Sequence, residues 1–285
     1  MSAEQATLSG TTIVMSGGSR GIGLAIALRA AQDGANIVLL AKTAEPNAHL
    51  GGTVFSAAEQ IEAAGGHALP VVGDVRSDDS IAEVVAAAVE RFGGIDICVN
   101  NASALNGSPS LELSPKAYDL MQDINTRGTF QLTRACLPHL LASPNPRVLT
   151  LSPPITFDRD WLGRFPGYML SKYGMTLATL GLAAEFREQG LSANCLWPRT
   201  TIATDAVRNL LGGDEAIAHA RTPRIMADAA HVILTADGIG SGHTVIDDEV
   251  LRDAGVTDFA QYAVSGVDGE LDLDFFLGTL TAERR

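Results

Sequence analysis

The stretch Ser16-Gly17-Gly18-Ser19-Arg20-Gly21-Ile22-Gly23 decides the fold of this chain of 285 residues. It follows the apolar run Thr12–Ser16, which is typical of a buried strand, and it enters Arg20–Gly34, whose apolar spacing predicts a helix. Glycines at such a junction permit a tight turn and let the backbone approach a pyrophosphate at the helix N-terminus. The spacing is Gly-x-x-x-Gly-x-Gly, and Ile26 stands where a last glycine would fall. The strand–loop–helix setting favours a dinucleotide site over a plain glycine turn.

The rest of the chain alternates apolar strands with segments of helical period. Further strands are predicted at Asn36–Ala41, His67–Val72, Ile95–Asn100, Arg147–Ser152, Leu191–Trp197 and His243–Asp247. Helices are predicted at Val54–Ala64, from a cap at Ser77 to Phe92, and at Ser114–Leu141, Gly167–Gln189 and Met226–Leu234. This pattern predicts an α/β fold, a Rossmann-type doubly wound parallel sheet of about seven strands with helices on both faces, spanning residues 1–247.

Two segments fall outside this alternation. Pro198–Pro223 is long for a strand-to-helix connection and contains Gly212-Gly213, which favours a mobile lid. Residues 248–285 form an acidic C-terminal extension, which we expect to pack on the same domain or on a neighbouring subunit. Its aromatic residues indicate a packed tail, over the active site or across a subunit contact: Phe259, Tyr262, Phe275 and Phe276.

Composition and charge exclude several classes of function. The net charge is −13, of which −7 lies between Ser241 and Arg285, and this argues against binding nucleic acid or an anionic membrane. No run of about 18 apolar residues and no leader-like N-terminus is present, so a soluble cytoplasmic protein is expected. Three cysteines in apolar segments favour buried free thiols, and no Cys/His cluster has metal-ligand spacing.

Tyr168-Met169-Leu170-Ser171-Lys172 carries the second chemical signal. Positions i and i+4 of a helix share one face, so the phenol and the ammonium are expected side by side. A free phenol has a pKa of about 10, and a nearby cation favours the phenolate and lowers that pKa. The spacing therefore predicts Tyr168 as a proton donor or acceptor tuned by Lys172.

The end of the second predicted strand indicates which cofactor is bound. Sites for NAD usually carry an acidic residue there, which binds the ribose 2′-hydroxyl. Here the strand ends in Leu40-Ala41-Lys42-Thr43. Lys42 and Arg20 either face a 2′-phosphate or are ordinary solvated cations, and the missing carboxylate favours NADP over NAD. Asp74-Val75 is placed to bind the adenine, and Asn100-Asn101-Ala102 to line the nicotinamide side.

Together these residues resemble the short-chain dehydrogenase/reductase family from Thr11 to Asp247. Ser16 replaces the threonine of its T-G-x-x-x-G-x-G loop, and Ser103 replaces the last glycine of its N-N-A-G segment. The resemblance implies Tyr168 and Lys172 as a catalytic pair, with Asn125 kinking the long helix and holding a water of the proton relay. It also implies a set of cofactor-binding residues, namely Ser16, Gly17, Ser19, Arg20, Gly21, Ile22, Gly23, Lys42, Asp74, Val75, Asn101, Ala102, Lys172, Pro198 and Thr200.

A narrower resemblance is to the hydroxysteroid dehydrogenase-like protein 2 branch. It rests on four stretches, Ala41-Lys42-Thr43-Ala44-Glu45-Pro46, Leu151-Ser152-Pro153-Pro154, Trp197-Pro198-Arg199-Thr200 and Ile225-Met226-Ala227-Asp228-Ala229. Eukaryotic members carry a C-terminal sterol-carrier domain and are associated with peroxisomes or mitochondria. This sequence contains no such domain and no peroxisomal tripeptide, so a bacterial-type cytosolic protein is expected.

Two departures from the family pattern matter. The family's catalytic serine is the second of a pair after the fifth strand, and here Pro153 follows Ser152. Either the prolines bend the loop so that Ser152 reaches the substrate, or Tyr168 acts without that partner. The family's Pro-Gly after the sixth strand is Pro198-Arg199, and Arg199 either contacts a phosphate or acidic substrate or points to solvent.

These residues predict an NADP(H)-dependent oxidoreductase that interconverts a secondary alcohol and a ketone. Apolar residues in the loop before Tyr168 either line a pocket for a lipid-like, acyl or steroid-like substrate or are plain packing: Phe157, Trp161, Leu162 and Phe165. The alternative is a nucleotide-binding sensor or scaffold with little turnover, which the proline at position 153 motivates.

Small residues in the Gly167–Gln189 helix allow close packing against another helix. This favours a homodimer or homotetramer, although packing on the chain's own sheet selects the same residues: Gly174, Ala178, Gly181, Ala183 and Ala184.

Overall fold

The computed structural model describes residues 7–46, 51–235, 239–265 and 271–278. Seven parallel strands form one sheet in the order β3-β2-β1-β4-β5-β6-β7. They are β1 Thr12–Ser16, β2 Asn36–Ala41, β3 His67–Val72, β4 Ile97–Asn100, β5 Arg147–Leu151, β6 Ser192–Trp197 and β7 Thr244–Ile246. The chain winds outward in both directions from β1, so the predicted doubly wound parallel sheet is confirmed.

Helices cover both faces of this sheet. They are α1 Gly21–Ala31, α2 Val54–Ala63, α3 Asp78–Phe92, α4 Pro115–Met121, α5 Gly128–Leu140, α6 Arg159–Arg164, α7 Pro166–Glu185, α8 Asp205–Val207, α9 Gly213–Ala218, α10 Arg224–Thr235 and α11 Asp247–Asp253. Side chains of a strand alternate between faces, so Ile13 and Met15 of β1 join the core with α1 and α10, while Val14 joins the core with α3 and α5.

The predicted helix Ser114–Leu141 is divided by a π-helical segment. Ser114 caps α4 by accepting a hydrogen bond from the Ala117 N–H at 3.2 Å, and Gln122–Arg127 forms the π segment before α5. Such a wide turn locally interrupts the regular i to i−4 ladder and is frequent at functional sites. It places the Asn125 side chain inside the protein, where it is fully buried.

The two segments outside the predicted alternation contain additional structure. Pro198–Pro223 includes α8, a π-helical turn at Arg208–Gly212 and α9, and its predicted mobility stays a prediction. The acidic extension starts with α11, whose Val250 and Leu251 lie in the same core as α10. Sequence periodicity missed these helices because each is only three to seven residues long.

Within the described residues, no helix is both long and apolar enough to span a membrane. Cys98, Cys136 and Cys195 are buried and unpaired, as the sequence predicted.

Candidate active site

A cavity of about 530 Å³ lies at the carboxyl edge of the sheet, where strands β1 to β4 end. Since the ends of parallel strands meet at one edge, loops distant in sequence converge there. The cavity is lined by most of the predicted cofactor-binding residues, namely Gly17, Ser19, Arg20, Gly21, Ile22, Lys42, Asp74, Val75, Asn101 and Ala102. Five predicted cofactor-binding residues do not line this cavity, namely Ser16, Gly23, Lys172, Pro198 and Thr200.

The glycine loop is shaped to hold a phosphate group by its backbone. Gly17 has a φ of +73°, and a Cβ there would lie 2.8 Å from Ala102 Cα. A Cβ on Gly23 would lie 2.5 Å from Asn101 Nδ2. Ser16 is buried below the loop, and its hydroxyl accepts hydrogen bonds from the Asn101 and Ala102 N–H groups at 3.3 and 3.2 Å. The residues present therefore fit a dinucleotide bound against the first turn of α1.

Basic side chains surround the end of β2. Lys42 is 55% exposed, and its Nζ lies 3.7 Å from Asp74 Oδ2. Arg20 lines the cavity and donates a hydrogen bond to Thr43 Oγ1 at 2.9 Å. Arg76 bonds Asp74 at 2.6 Å and lowers the pKa of that carboxyl. An exposed ammonium and a hydrogen-bonded guanidinium therefore lie at the end of β2, with the Asp74 carboxylate between Lys42 and Arg76.

Lys172 is buried on α7 at the other end of the site. Its Nζ donates to the Leu151 carbonyl at 2.7 Å and to Ser103 Oγ at 3.4 Å, and it lies 5.0 Å from the centre of the Trp197 ring. Burial lowers the pKa of Lys172 to about 7, an effect that the carboxylate of Asp274 partly offsets. The lysine thus ties α7 to the end of β5 and is easily deprotonated.

Tyr168 is covered by two aromatic rings from the C-terminal extension. It is 4% exposed, with the Phe276 ring stacked at 6.1 Å and the Phe275 ring edge-on at 6.4 Å. Burial raises the pKa of the phenol, and the nearby Asp274 carboxylate raises it further. The expected net lowering of the Tyr168 pKa is therefore wrong for this structure, because burial of the phenol outweighs any opposing effect of Lys172.

Asn125 positions the elements around the tyrosine. Its side chain accepts a hydrogen bond from the Ala104 N–H at 2.7 Å and donates to the Ala104 carbonyl at 2.9 Å. It also donates to Ser171 Oγ at 2.8 Å, and Ser171 in turn donates to the Tyr168 carbonyl at 2.7 Å. The π segment thus joins the loop after β4 to the first turns of α7, while a role for Asn125 in a proton relay stays a prediction.

Ser152 lies inside the protein. It is fully buried, and its Oγ has no hydrogen-bond partner among the described residues. It neighbours the Cys195 thiol, whose pKa is raised by burial. Neither the 530 Å³ cavity nor a second cavity beside Phe165 has Ser152 in its lining. Tyr168 is absent from both linings as well, so the role of Ser152 beside it stays a prediction.

A C-terminal segment, residues 271–278, covers the loop after β6. The Thr201 N–H donates to the Asp272 carbonyl at 2.8 Å, and the Asp274 N–H donates to the Arg199 carbonyl at 2.9 Å. Beneath this segment, Thr200 Oγ1 is buried with no hydrogen-bond partner among the described residues, which fits a site for a polar ligand group. This cover explains why Lys172, Pro198 and Thr200 lie outside the open cavity.

The Arg199 side chain takes neither of the two predicted orientations. It bonds Asp248 at 2.7 Å and also pairs with Glu249, both in the first turn of α11. Asp248 is 1% exposed, so this pair fixes α11 to the end of β6. The arginine thus has a structural partner in its own chain.

Sequence reasoning missed two residues of this site. Ser103 contacts Lys172, and the available signal was its replacement of a glycine in the Asn100-Asn101-Ala102-Ser103 motif. Asp274 is partly buried near Tyr168 and Lys172, and burial raises its pKa to about 7. Phe275 and Phe276 cover Tyr168, which is the first of the two positions predicted for the aromatic tail.

Comparisons with known proteins agree with this geometry. The family model for short chain dehydrogenase matches residues 11–214. Hydroxysteroid dehydrogenase-like protein 2 of Danio rerio is 49% identical over 270 residues, which cover 95% of this chain and 64% of that protein. This chain thus spans less than two thirds of that relative.

Solved structures show the same fold at higher identity. A protein of Xanthomonas campestris is 53% identical with a TM-score of 0.91, covering 96% of this chain and all of that one. A short chain dehydrogenase of Mycobacterium thermoresistibile is 52% identical with a TM-score of 0.90, covering 96% of this chain and 97% of that one.

The raised pKa of the partly buried Asp274 carboxyl predicts a pH-dependent gain in stability for Asp274→Asn. In the fold its pKa is about 7, whereas an unfolded aspartate has a pKa of about 3.9. The cost of burying the carboxylate is therefore absent below the unfolded pKa and grows as the pH rises toward 7. Since 1 kcal/mol shifts Tm by roughly 2–4 °C in a chain of this size, the variant should gain at least about 2 °C at pH 8.

At pH 5 this gain should be clearly smaller. Calorimetry of the wild type, of Asp274→Asn and of the exposed control Asp272→Asn at both pH values measures it. A gain in Tm that is equal at pH 5 and pH 8, or that the control reproduces, would contradict a raised pKa of the Asp274 carboxyl.

Proposed function

Since this chain belongs to the short-chain dehydrogenase family, we propose that it is an NADP(H)-dependent oxidoreductase that interconverts a secondary alcohol and a ketone. The observation that carries the proposal is the pairing of a glycine cradle with Tyr168 and Lys172, which lie one helical turn apart at the same edge of the sheet. A protein that only binds a nucleotide has no physical need for this pair.

Each residue of the pair has a part in the proton transfer. When bound, the nicotinamide cofactor supplies or accepts the hydride at the substrate carbon. In the direction of reduction, Tyr168 donates its hydroxyl proton to the substrate oxygen and is left as a phenolate. A proton on Lys172 Nζ stabilises that phenolate, and Lys172 is suited to exchange it because its pKa is about 7.

The substrate side of the site supports an apolar compound. Of the aromatic candidates, Trp161 and Phe165 line a cavity, whereas Phe157 is 82% exposed and belongs to neither cavity. Tyr168, whose ring packs against the cavity wall Phe275, is the hydroxyl group that we assign to the reacting oxygen. A lipid-like, acyl or steroid-like ketone is the class of substrate that this lining favours.

One observation favours the second candidate function, a nucleotide-binding sensor with little turnover. Tyr168 is covered by Phe275 and Phe276 in this structure, Pro153 stands where the family has its catalytic serine, and the preceding Ser152 is buried. We favour the enzyme, because the covering segment is held by only a few hydrogen bonds among the described residues, and its displacement would expose Tyr168 to a substrate.

Tyr168→Phe should lower kcat by at least about 100-fold while leaving NADPH binding unchanged, because it removes only the proton donor. Stopped-flow or steady-state turnover of a ketone panel, with NADPH binding measured by fluorescence, checks this. The matched control is Tyr173→Phe on the same helix, whose hydroxyl is engaged with the Thr156 backbone at 3.1 Å. Full activity in Tyr168→Phe would remove the enzyme proposal, and absence of turnover in the wild type would favour the sensor.

Lys42→Ala should weaken NADPH binding about 10–100-fold, the value of one charge-assisted contact to the 2′-phosphate. NADH binding should change less than about threefold in the same variant, since NADH lacks that phosphate. Titration of both cofactors into the wild type, Lys42→Ala and the exposed control Lys116→Ala separates the cases. Equal losses for the two cofactors would contradict NADP selection by Lys42.

We also propose a cytoplasmic homodimer or homotetramer. Apolar side chains are exposed on α4, α5 and α7, namely Tyr118, Leu120, Phe130, Leu170 and Leu177. Some of the small residues of α7 pack within the chain, and others lie on its surface. Gly174 packs on Thr126 of the same chain and Ala183 is buried, while Gly181 and Ala184 are exposed on α7 and leave room for a partner helix.

Leu177→Glu should therefore reduce the mass in light scattering toward that of one chain, because it places a charge on this apolar surface. Leu111→Glu is the control, since Leu111 is wholly exposed in a loop outside these helices. A wild type that already scatters as a monomer would end the proposal.

A further inference from the structure

A second cavity, of about 320 Å³, lies next to the 530 Å³ cavity that the cofactor-binding residues line, here called the cofactor cavity. Its apolar wall is formed by Trp161, Phe165, Leu210, Leu211 and Phe275. Leu210 also lines the cofactor cavity, so the two cavities meet at this side chain. Sites for small molecules are concave, largely apolar and roughly 300–1,000 Å³ in volume, and the second cavity lies at the lower end of this range.

The polar part of the lining is arranged around the rings. The Arg164 guanidinium lies over the Trp161 and Phe165 rings, at 5.7 and 5.2 Å from their centres. Asp272 and Asp274 border the cavity from the C-terminal segment. The interior thus offers aromatic and aliphatic faces to an apolar group, with polar atoms at its border.

Phe275 separates this cavity from the catalytic tyrosine. Its ring centre lies 5.4 Å from that of Phe165 and 6.2 Å from that of Trp161, which are both cavity walls. It also lies 6.4 Å from the Tyr168 ring, which does not line the cavity. A group in the cavity therefore meets Phe275 before it meets Tyr168.

The backbone fixes where the Phe275 ring can lie. The indole N–H of Trp197 donates to the Phe275 carbonyl at 2.9 Å, and Leu273 forms an antiparallel bridge with Thr200. Phe276, the next residue, has a φ of +67°, the one left-handed non-glycine conformation among the described residues. This conformation is uncommon for a bulky residue, and it allows both rings to pack on Tyr168.

We propose that Phe275 is a specificity-determining residue and that the second cavity takes the alkyl chain of the carbonyl substrate. The Phe275 ring limits the size of the substrate group that can lie between the alkyl chain in the cavity and the carbonyl carbon beside Tyr168. This inference rests on the proposed function. It assigns substrate selection to a residue that lies outside the part of the chain matched by the family model, which ends at residue 214.

The first measurement is the ratio of kcat/KM for 2-nonanone to that for 2-butanone, with NADPH. Phe275→Ala should raise this ratio at least about tenfold, since one methylene in an apolar pocket already changes kcat/KM by about 10–200-fold. Phe275→Leu should give an intermediate increase, and it carries the test if the alanine variant does not fold. Phe157→Ala is the control, because that ring is exposed and lines neither cavity, and its ratio should stay within about twofold of the wild type.

The second measurement does not depend on turnover. The chain has two tryptophans, and Trp161 is the one that lines the cavity. Titration with 2-nonanone without cofactor should give a saturable change in tryptophan fluorescence that Trp161→Phe abolishes and Phe275→Ala shifts to a different Kd.

The two measurements separate failure of the inference from failure of the proposed function. A Trp161-dependent signal shifted by Phe275→Ala, without turnover in any variant, upholds the cavity and Phe275 but removes the ketone reductase. Turnover with the same ratio in the wild type, Phe275→Leu and Phe275→Ala overturns the inference. A fluorescence titration with the same Kd in the wild type, Trp161→Phe and Phe275→Ala also overturns it, because the ligand then binds outside the cavity that these two rings line.

Discussion

The close approach of two backbone segments at the carboxyl edge of the sheet is the constraint on which the site depends. Gly17 leaves no room for a Cβ beside Ala102, and Gly23 leaves none beside Asn101. The loops after β1 and β4 are therefore held together, with the Ser16 hydroxyl bonding both N–H groups of the second loop. This contact positions the N-terminus of α1 next to the cavity, and a larger residue at either glycine would push the loops apart. The parallel order of the strands supplies the edge, and the glycines supply the space.

At the other end of the site, two ionisable groups, Lys172 and Asp274, lie in an environment that disfavours their charged forms. Lys172 is held in the interior by the Leu151 carbonyl and the Trp197 ring, and Asp274 is the acidic group that acts on it. Burial pulls the pKa of both groups toward neutrality, downward for the lysine and upward for the aspartate. A buried charge with few partners is costly, so this region is a natural place for proton exchange. The same desolvation explains why the phenol of Tyr168 is a weaker acid here than the i, i+4 spacing alone predicts.

The sequence was most informative where one pattern controls one structure. Continuous apolar strands and a glycine junction predicted the sheet. Three of its strands, β1, β2 and β3, begin and end at the predicted residues, and β6 ends at the predicted Trp197 but begins one residue later than predicted. Asn125 was placed in a kinked helix, and the structure shows a π segment there. The sequence could not show that Ser152 turns inward beside Cys195, because that depends on how two prolines direct the loop after β5. It also could not place Asp274, which reaches the site through pairing of the C-terminal segment with the loop after β6.

This difference has a physical origin. The nucleotide half of the site is built from loops that directly follow strands, so local sequence determines both the turn and its position at the sheet edge. The cover over Tyr168 is built by a segment more than seventy residues beyond the end of β6, in which local periodicity is weak. Three backbone hydrogen bonds and two indole N–H groups hold it in place, and a local sequence pattern does not encode these contacts. Variation in such a segment changes the walls around Tyr168 without disturbing the glycine cradle or the sheet. A fold of this kind can therefore keep the glycine cradle unchanged while the aromatic cover over Tyr168, which lies beyond the part of the chain matched by the family model, varies.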